Sequence, residues 1–166
     1  MKFHQLLAKP LLSLSDQDWF MSLALEEANL AFKKEEVPVG CVLVDRFGKI
    51  LSQAHNLKEV QLNPCAHAEC LAITQAAQKM KSWRLEGVSL FVTLEPCFMC
   101  MGAILAARID HLYFGAYDPK GGFLSLKMNT QSWNKLNHAF TIVGGVKHYE
   151  CSQQLSTFFR QQRHFY

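Results

Sequence analysis

The chain has 166 residues, of which 49% are apolar, enough to bury a core without disulfides, so one compact domain spanning residues 1–166 is expected. A formal charge of +3 is too small to establish a nucleic-acid partner, though it leaves room for a local basic face. No apolar stretch approaches membrane-spanning length and Met1–Pro10 lacks the apolar run of a signal peptide, which argues against a membrane partner and for a cytoplasmic protein. In such a reducing compartment the six cysteines (Cys41, Cys65, Cys70, Cys97, Cys100, Cys151) are not expected to form bridges.

Residues 1 to about 14 carry no clear period and read as a loosely held arm. Ser15-Asp16-Gln17-Asp18 resembles a helix cap with an acidic first turn, and Phe20, Leu23, Ala24, Ala28 and Ala31 then recur at helical spacing. Val37-Pro38 breaks that helix. Valine-rich 39–44 and a second run over 49–53, joined by Asp45-Arg46-Phe47-Gly48, predict a β-hairpin. A polar loop follows, and because the residue before Pro64 is biased away from helix, the next helix should begin near Ala66. A β-branched strand over 88–93 leads to Pro96, placed as the first helical residue, and a helix from Cys97 to about Arg108. A strand over 111–116, a long irregular segment over 117–139, a strand over 140–143, and a helix over 149–163 with Leu155, Phe158 and Phe159 on its inner face complete the chain. This order makes an α/β layered domain. More than twenty residues separate the last two strands, ample for a crossover that makes them parallel.

The chemistry concentrates in two short stretches, His67-Ala68-Glu69 and Glu95-Pro96-Cys97-Phe98-Met99-Cys100. Cysteines three apart share one helix face, and a helix start favours thiolates, the metal-binding form. With His67 they make three ligands, leaving one tetrahedral position for water, as in catalytic zinc. Such a site makes hydroxide available at neutral pH, and Glu69 would shuttle its proton, first as base and then as acid, in hydrolytic loss of ammonia. Taken separately, Cys-x-x-Cys also suits a redox pair, and a fourth ligand from Cys65 or Cys70 would close a structural zinc site. The remaining cysteines read as mostly buried, inert thiols, Cys65 excepted.

His-x-Glu followed by Pro-Cys-x-x-Cys is a signature of zinc nucleobase deaminases, tRNA adenosine deaminases among them. From about Trp19 to Arg163 the chain resembles the bacterial tRNA adenosine deaminase family. The likeness rests on Glu36-Val37-Pro38-Val39-Gly40, His55-Asn56, Ala66-His67-Ala68-Glu69, the run from Val92 to Cys100, Phe114-Gly115-Ala116 with Asp118, and Phe158-Phe159-Arg160. The resemblance implies a three-layer α/β/α cytidine-deaminase-like fold with a five-stranded mixed sheet whose last two strands are parallel. It implies one zinc ion (Zn2+) per subunit on His67, Cys97 and Cys100, Glu69 as the catalytic residue, and Asn56, Ala68 and Asp118 as substrate-binding residues. The implied reaction converts adenosine to inosine at the wobble position of a tRNA anticodon stem-loop, in a homodimer.

The chain departs from the family pattern at Tyr117, where a basic residue is common, at Cys65, where threonine is common, and at Gly121-Gly122, which replaces threonine-glycine. Tyr117 suits either stacking on a base or packing at a strand end. Arg160, Arg163, Lys120 and Arg108 are candidates for a phosphate-binding face. Two other functions stand beside the tRNA reading: a zinc deaminase of a free base or nucleoside such as guanine, cytosine or cytidine, and a non-enzymatic zinc-stabilised binding module.

Overall fold

The computed structural model describes residues 12–126 and 138–163. Residues 1–11 of the expected arm and 127–137 of the irregular segment lie outside the described residues. In chain order the elements are α1 (Leu14–Lys33), β1 (Gly40–Val44), β2 (Ile50–His55), α2 (Ala68–Met80), β3 (Ser89–Leu94), α3 (Phe98–Ala106), β4 (His111–Ala116), β5 (Thr141–Gly144) and α4 (His148–Arg163). The strands form one sheet in the order β2-β1-β3-β4-β5. β1 pairs antiparallel with β2 and β3, whereas β3–β4 and β4–β5 are parallel, as the long connection before β5 predicts.

Alternation along the strands divides the core in two. Cys41, Leu43, Leu90, Val92, Leu112 and Phe114 face a layer with Ala68, Ala72 and Ala76 of α2 and Met101 and Ile104 of α3. Val42, Val44, Phe91 and Tyr113 point the other way, against Phe20, Met21 and Ala24 of α1 and Cys151 of α4. Phe91 stacks on Tyr113 with centroids 4.5 Å apart, and Phe20 tilts onto Phe91 at 5.3 Å. The result is the three-layer α/β/α arrangement with a five-stranded mixed sheet. Among the described residues, no helix is long and apolar enough to cross a membrane.

Several boundaries differ from those read in the sequence. α1 is capped by Ser13, not Ser15: the Ser13 hydroxyl accepts from the Asp16 N–H at 3.2 Å and donates to the Asp16 carboxylate at 2.6 Å. The Ser13 hydroxyl thus satisfies one of the free N–H groups of the first turn. Leu12 is held as well, its N–H donating to the Tyr113 hydroxyl at 3.3 Å and its carbonyl accepting from the Gln17 amide at 2.8 Å. On α4, Cys151 and Phe158 are buried and Leu155 packs beside them, but Phe159 is 46% exposed. At i, i+4 and i+7 the first three make one stripe. Phe159 turns toward the groove described below.

Candidate active site

Two helices begin at the same place. His67 is the N-cap of α2 and Cys97 the N-cap of α3, both with extended backbone and neither making a side-chain cap. The helices therefore start later than the sequence suggested, at Ala68 and Phe98. Pro96 consequently lies before the cap and is not the first helical residue; its carbonyl accepts from the Phe123 N–H at 3.0 Å. Cys97 at the cap and Cys100 three residues on occupy positions whose side chains meet in a capping box, here turned to a shared target. The free N–H groups and positive dipole ends of both helices converge on the cluster and favour anionic sulfur.

The ligand atoms of His67, Cys97 and Cys100 all lie within 4.8 Å of one another. His67 Nδ1 is 3.7 Å from Cys97 Sγ and 3.5 Å from Cys100 Sγ. Tetrahedral zinc at ordinary bond lengths separates a nitrogen and a sulfur ligand by about 3.6 Å, so these residues fit that ion. Cys97 is pulled down to about 3, first by its hydrogen bond with Cys100 and then by His67, despite partial burial. His67 is raised, chiefly by its bond to Cys97, while Cys100 is raised by its bonds to Cys70 and Cys97. The two sulfurs share a hydrogen bond whose proton a metal would displace. Cys70 Sγ stands 3.9 Å from Cys100 Sγ but outside the mutual three-ligand group, and Cys65 is exposed in a turn closed by Asn63. Neither closes the set with a fourth ligand. Cys41 and Cys151 are buried, with burial the main cause raising both thiols, Cys151 to about 12, as expected of inert thiols.

A cavity of about 170 Å³ opens beside the cluster, lined by Val37, Val39, Asn56, Lys58, His67, Ala68, Glu69, Leu94, Glu95, Cys97 and Asp118. Every site residue expected from the sequence borders it except Cys100, which is fully buried behind. Glu69, in the first turn of α2, is 4% exposed, and burial pushes its carboxyl above the usual range. Asn56 leaves the end of β2 with its N–H on the Val39 carbonyl at 2.9 Å, and its side-chain amide donates to Glu36 at 3.0 Å. Glu36, fully buried, also accepts the Val60 N–H at 2.8 Å, so one carboxylate aims Asn56 and ties down the loop before α2. Glu36 and Glu95 went unassigned in the sequence, where each reads only as a motif letter beside a strand.

A second groove, of about 830 Å³, shares Val37, Leu94 and Asp118 with the cavity and continues past Tyr117, Lys120, Leu155, Phe159, Gln162 and Arg163. Tyr117 is 51% exposed with one edge against Phe114, so it is both packed and presented. Of the four basic candidates, Lys120 and Arg163 line the groove. Arg160 is exposed but is not among its lining residues, and Arg108 follows the opposite end of α3, a helix length from the cluster.

The family model of MafB19-like deaminases matches residues 14–163. The tRNA-specific adenosine deaminase of Bacillus subtilis (strain 168) is 45% identical over 150 residues, covering 90% of this chain and 92% of that protein. A solved structure from studies of A-to-I editing by tRNA:A34 deaminases at the wobble position of transfer RNA superposes with TM-score 0.74 at 38% identity, over 82% of this chain and 98% of the other. The guanine deaminase of Nitrosomonas europaea also gives TM-score 0.74, over 95% of this chain and 98% of that one, but at 17% identity it shares the fold alone. On this combined likeness of sequence, fold and motif, the chain belongs to the tRNA-specific adenosine deaminase family of deaminases.

Proposed function

We propose that the protein hydrolytically deaminates adenosine to inosine at the wobble position of tRNA anticodons, using one zinc ion per subunit held by His67, Cys97 and Cys100. The carrying observation is a small cavity at the cluster that runs into a much larger groove bearing aromatic and cationic side chains. A nucleobase deaminase acting on a polymer must take one base out of its stack and hold the flanking strand outside. A free-base enzyme needs only the cavity. Tyr117 and Phe159 offer faces for unstacked bases, and Lys120 and Arg163 offer charge for phosphates.

When bound, zinc supplies an acidified water at neutral pH. Glu69, raised by burial, is suited to take one proton from the attacking water to the purine ring, then a second from the hydroxyl newly on the purine carbon to the departing amine. Asn56 and the Ala68 backbone fix the base, and Asp118 stands at the rim where cavity and groove meet. The match over 14–163 supports reading the chain as one deaminase domain. A homodimer would cover the exposed Val60 and Leu62 on the loop before α2, and the substrate places the enzyme in the cytoplasm.

Purified protein and Glu69→Ala, each incubated with an anticodon stem-loop carrying adenosine at position 34, with cytidine and with guanine, test this reading. Inosine from the stem-loop with wild type alone is expected. Reaction of a free base alone would move the protein to the other deaminases, and bound zinc with no reaction on any substrate would favour a binding module.

A further inference from the structure

Two buried carboxylates border the cavity, Glu69 and Glu95. Glu95 ends the segment that β3 delivers, directly before Pro96 and Cys97, and is 3% exposed. Its Oε1 accepts the backbone N–H groups of Leu124 and Ser125, each at 2.7 Å. Its Oε2 accepts the Asp118 N–H at 3.0 Å and the Ser125 hydroxyl. A carboxylate offers about four lone-pair sites, and four donors fill them. No acceptor capacity remains for a water or an amine.

We infer that Glu95 is a positioning residue that fastens the 118–125 loop over the cavity and so sets Asp118 at its rim, rather than a second catalytic carboxylate. Its effect on turnover rests on the adenosine deaminase reading; its hold on the loop does not. The loop lies so close that a Cβ on Gly122 would stand 2.5 Å from both Glu95 oxygens, so glycine at 122 serves close approach. Phe123 N–H to the Pro96 carbonyl and the Phe98–Phe123 edge contact also tie the loop near α3 without involving Glu95. Asp118 is bonded within the loop by the Lys120 and Gly122 N–H groups, and Glu95 joins that turn to the end of β3.

Glu95→Gln tests the assignment, because an amide accepts on one side only and turns an NH2 group toward two of the existing donors. Hydrogen exchange should quicken at least about tenfold at Leu124 and Ser125 or at Asp118, according to the side the NH2 group takes, with protection of β3 and α3 unchanged. Zinc content should hold, and KM for the stem-loop should rise about tenfold while kcat falls less. Gly122→Ala should reproduce the exchange pattern, and in a Glu95→Ala background it should add little, since the clash is gone. Unchanged exchange at those three amides would overturn the inference, and so would loss of protection throughout β3 and α3 in both variants, which would assign Glu95 to the fold. Exchange is read without substrate. An inactive wild type with the expected exchange would therefore count against the adenosine reading and leave the Glu95 assignment standing.

Discussion

Glu69 and Glu95 border one cavity, and their surroundings are opposite in kind. The Glu95 oxygens are filled by the loop they bind. Glu69 carries the strain of burial instead, its carboxyl raised above the usual range. Glu69→Ala should lower kcat by about 10²–10⁴-fold, the span of general acid–base catalysis, with zinc still bound by metal analysis. A raised folded value means that the native state binds the proton more tightly than the unfolded chain does. The stability contribution is then full below the unfolded value and lost as pH climbs through the folded one. Glu69→Gln in chelator-treated protein should therefore raise Tm at neutral pH, with the gain vanishing below about pH 4. With zinc bound the gain should shrink, because the cation offsets the carboxylate charge. That His67, Ala68, Glu69, Cys97 and Cys100 lie together was legible because they sit in two local motifs. The roles of Glu36 and Glu95 were not, because their partners lie 20 to 30 residues away and no spacing rule announces such pairs.

The helices meet the sheet through close contacts that only small residues permit. Gly40 opens β1 where a Cβ would strike the Ala24 carbonyl and Ala28 nitrogen of α1, backbone atoms that cannot swing aside. Its N–H donates to the Thr93 hydroxyl at 3.1 Å, tying the start of β1 to β3 beside the cavity. Gly40→Ala should cost about 1–3 kcal/mol, a drop in Tm of roughly 2–12 °C by calorimetry. Unchanged Tm would mean that α1 can move off the strand. Most elements could be placed within one or two residues from periodicity and turn signals, and β4 agreed in both bounds. The starts of α2 and α3 were displaced because imidazole and thiol at an N-cap carry no capping signal; their side chains serve the cluster instead. Phe159 was misassigned for a related reason. Helical spacing identifies an apolar stripe, but cannot say that the neighbouring aromatic faces a groove.

At the scale of the whole molecule, sheet topology brings the chemistry together. The parallel β3 and β4 both run toward the cavity, so the turn after β3 supplies Cys97 and that after β4 supplies Asp118, while α2 brings His67 and Glu69 to the same end. Because His67, Cys97 and Cys100 come from two separate helix starts, zinc held by the three would cross-link α2 and α3. Removing it with a chelator should lower Tm by more than about 5 °C, since each kcal/mol of lost binding energy costs roughly 2–4 °C in a chain of this size. Restoring zinc should return it. Adenine specificity and the polymer substrate are the claims that go furthest, and one reaction reaches both. A single turnover of zinc-loaded protein on an adenosine-34 anticodon stem-loop, run in ¹⁸O-labelled water and analysed by nucleoside mass spectrometry, should place one ¹⁸O atom in inosine at position 34. Adenosine left intact there, or inosine without the label, would contradict the account.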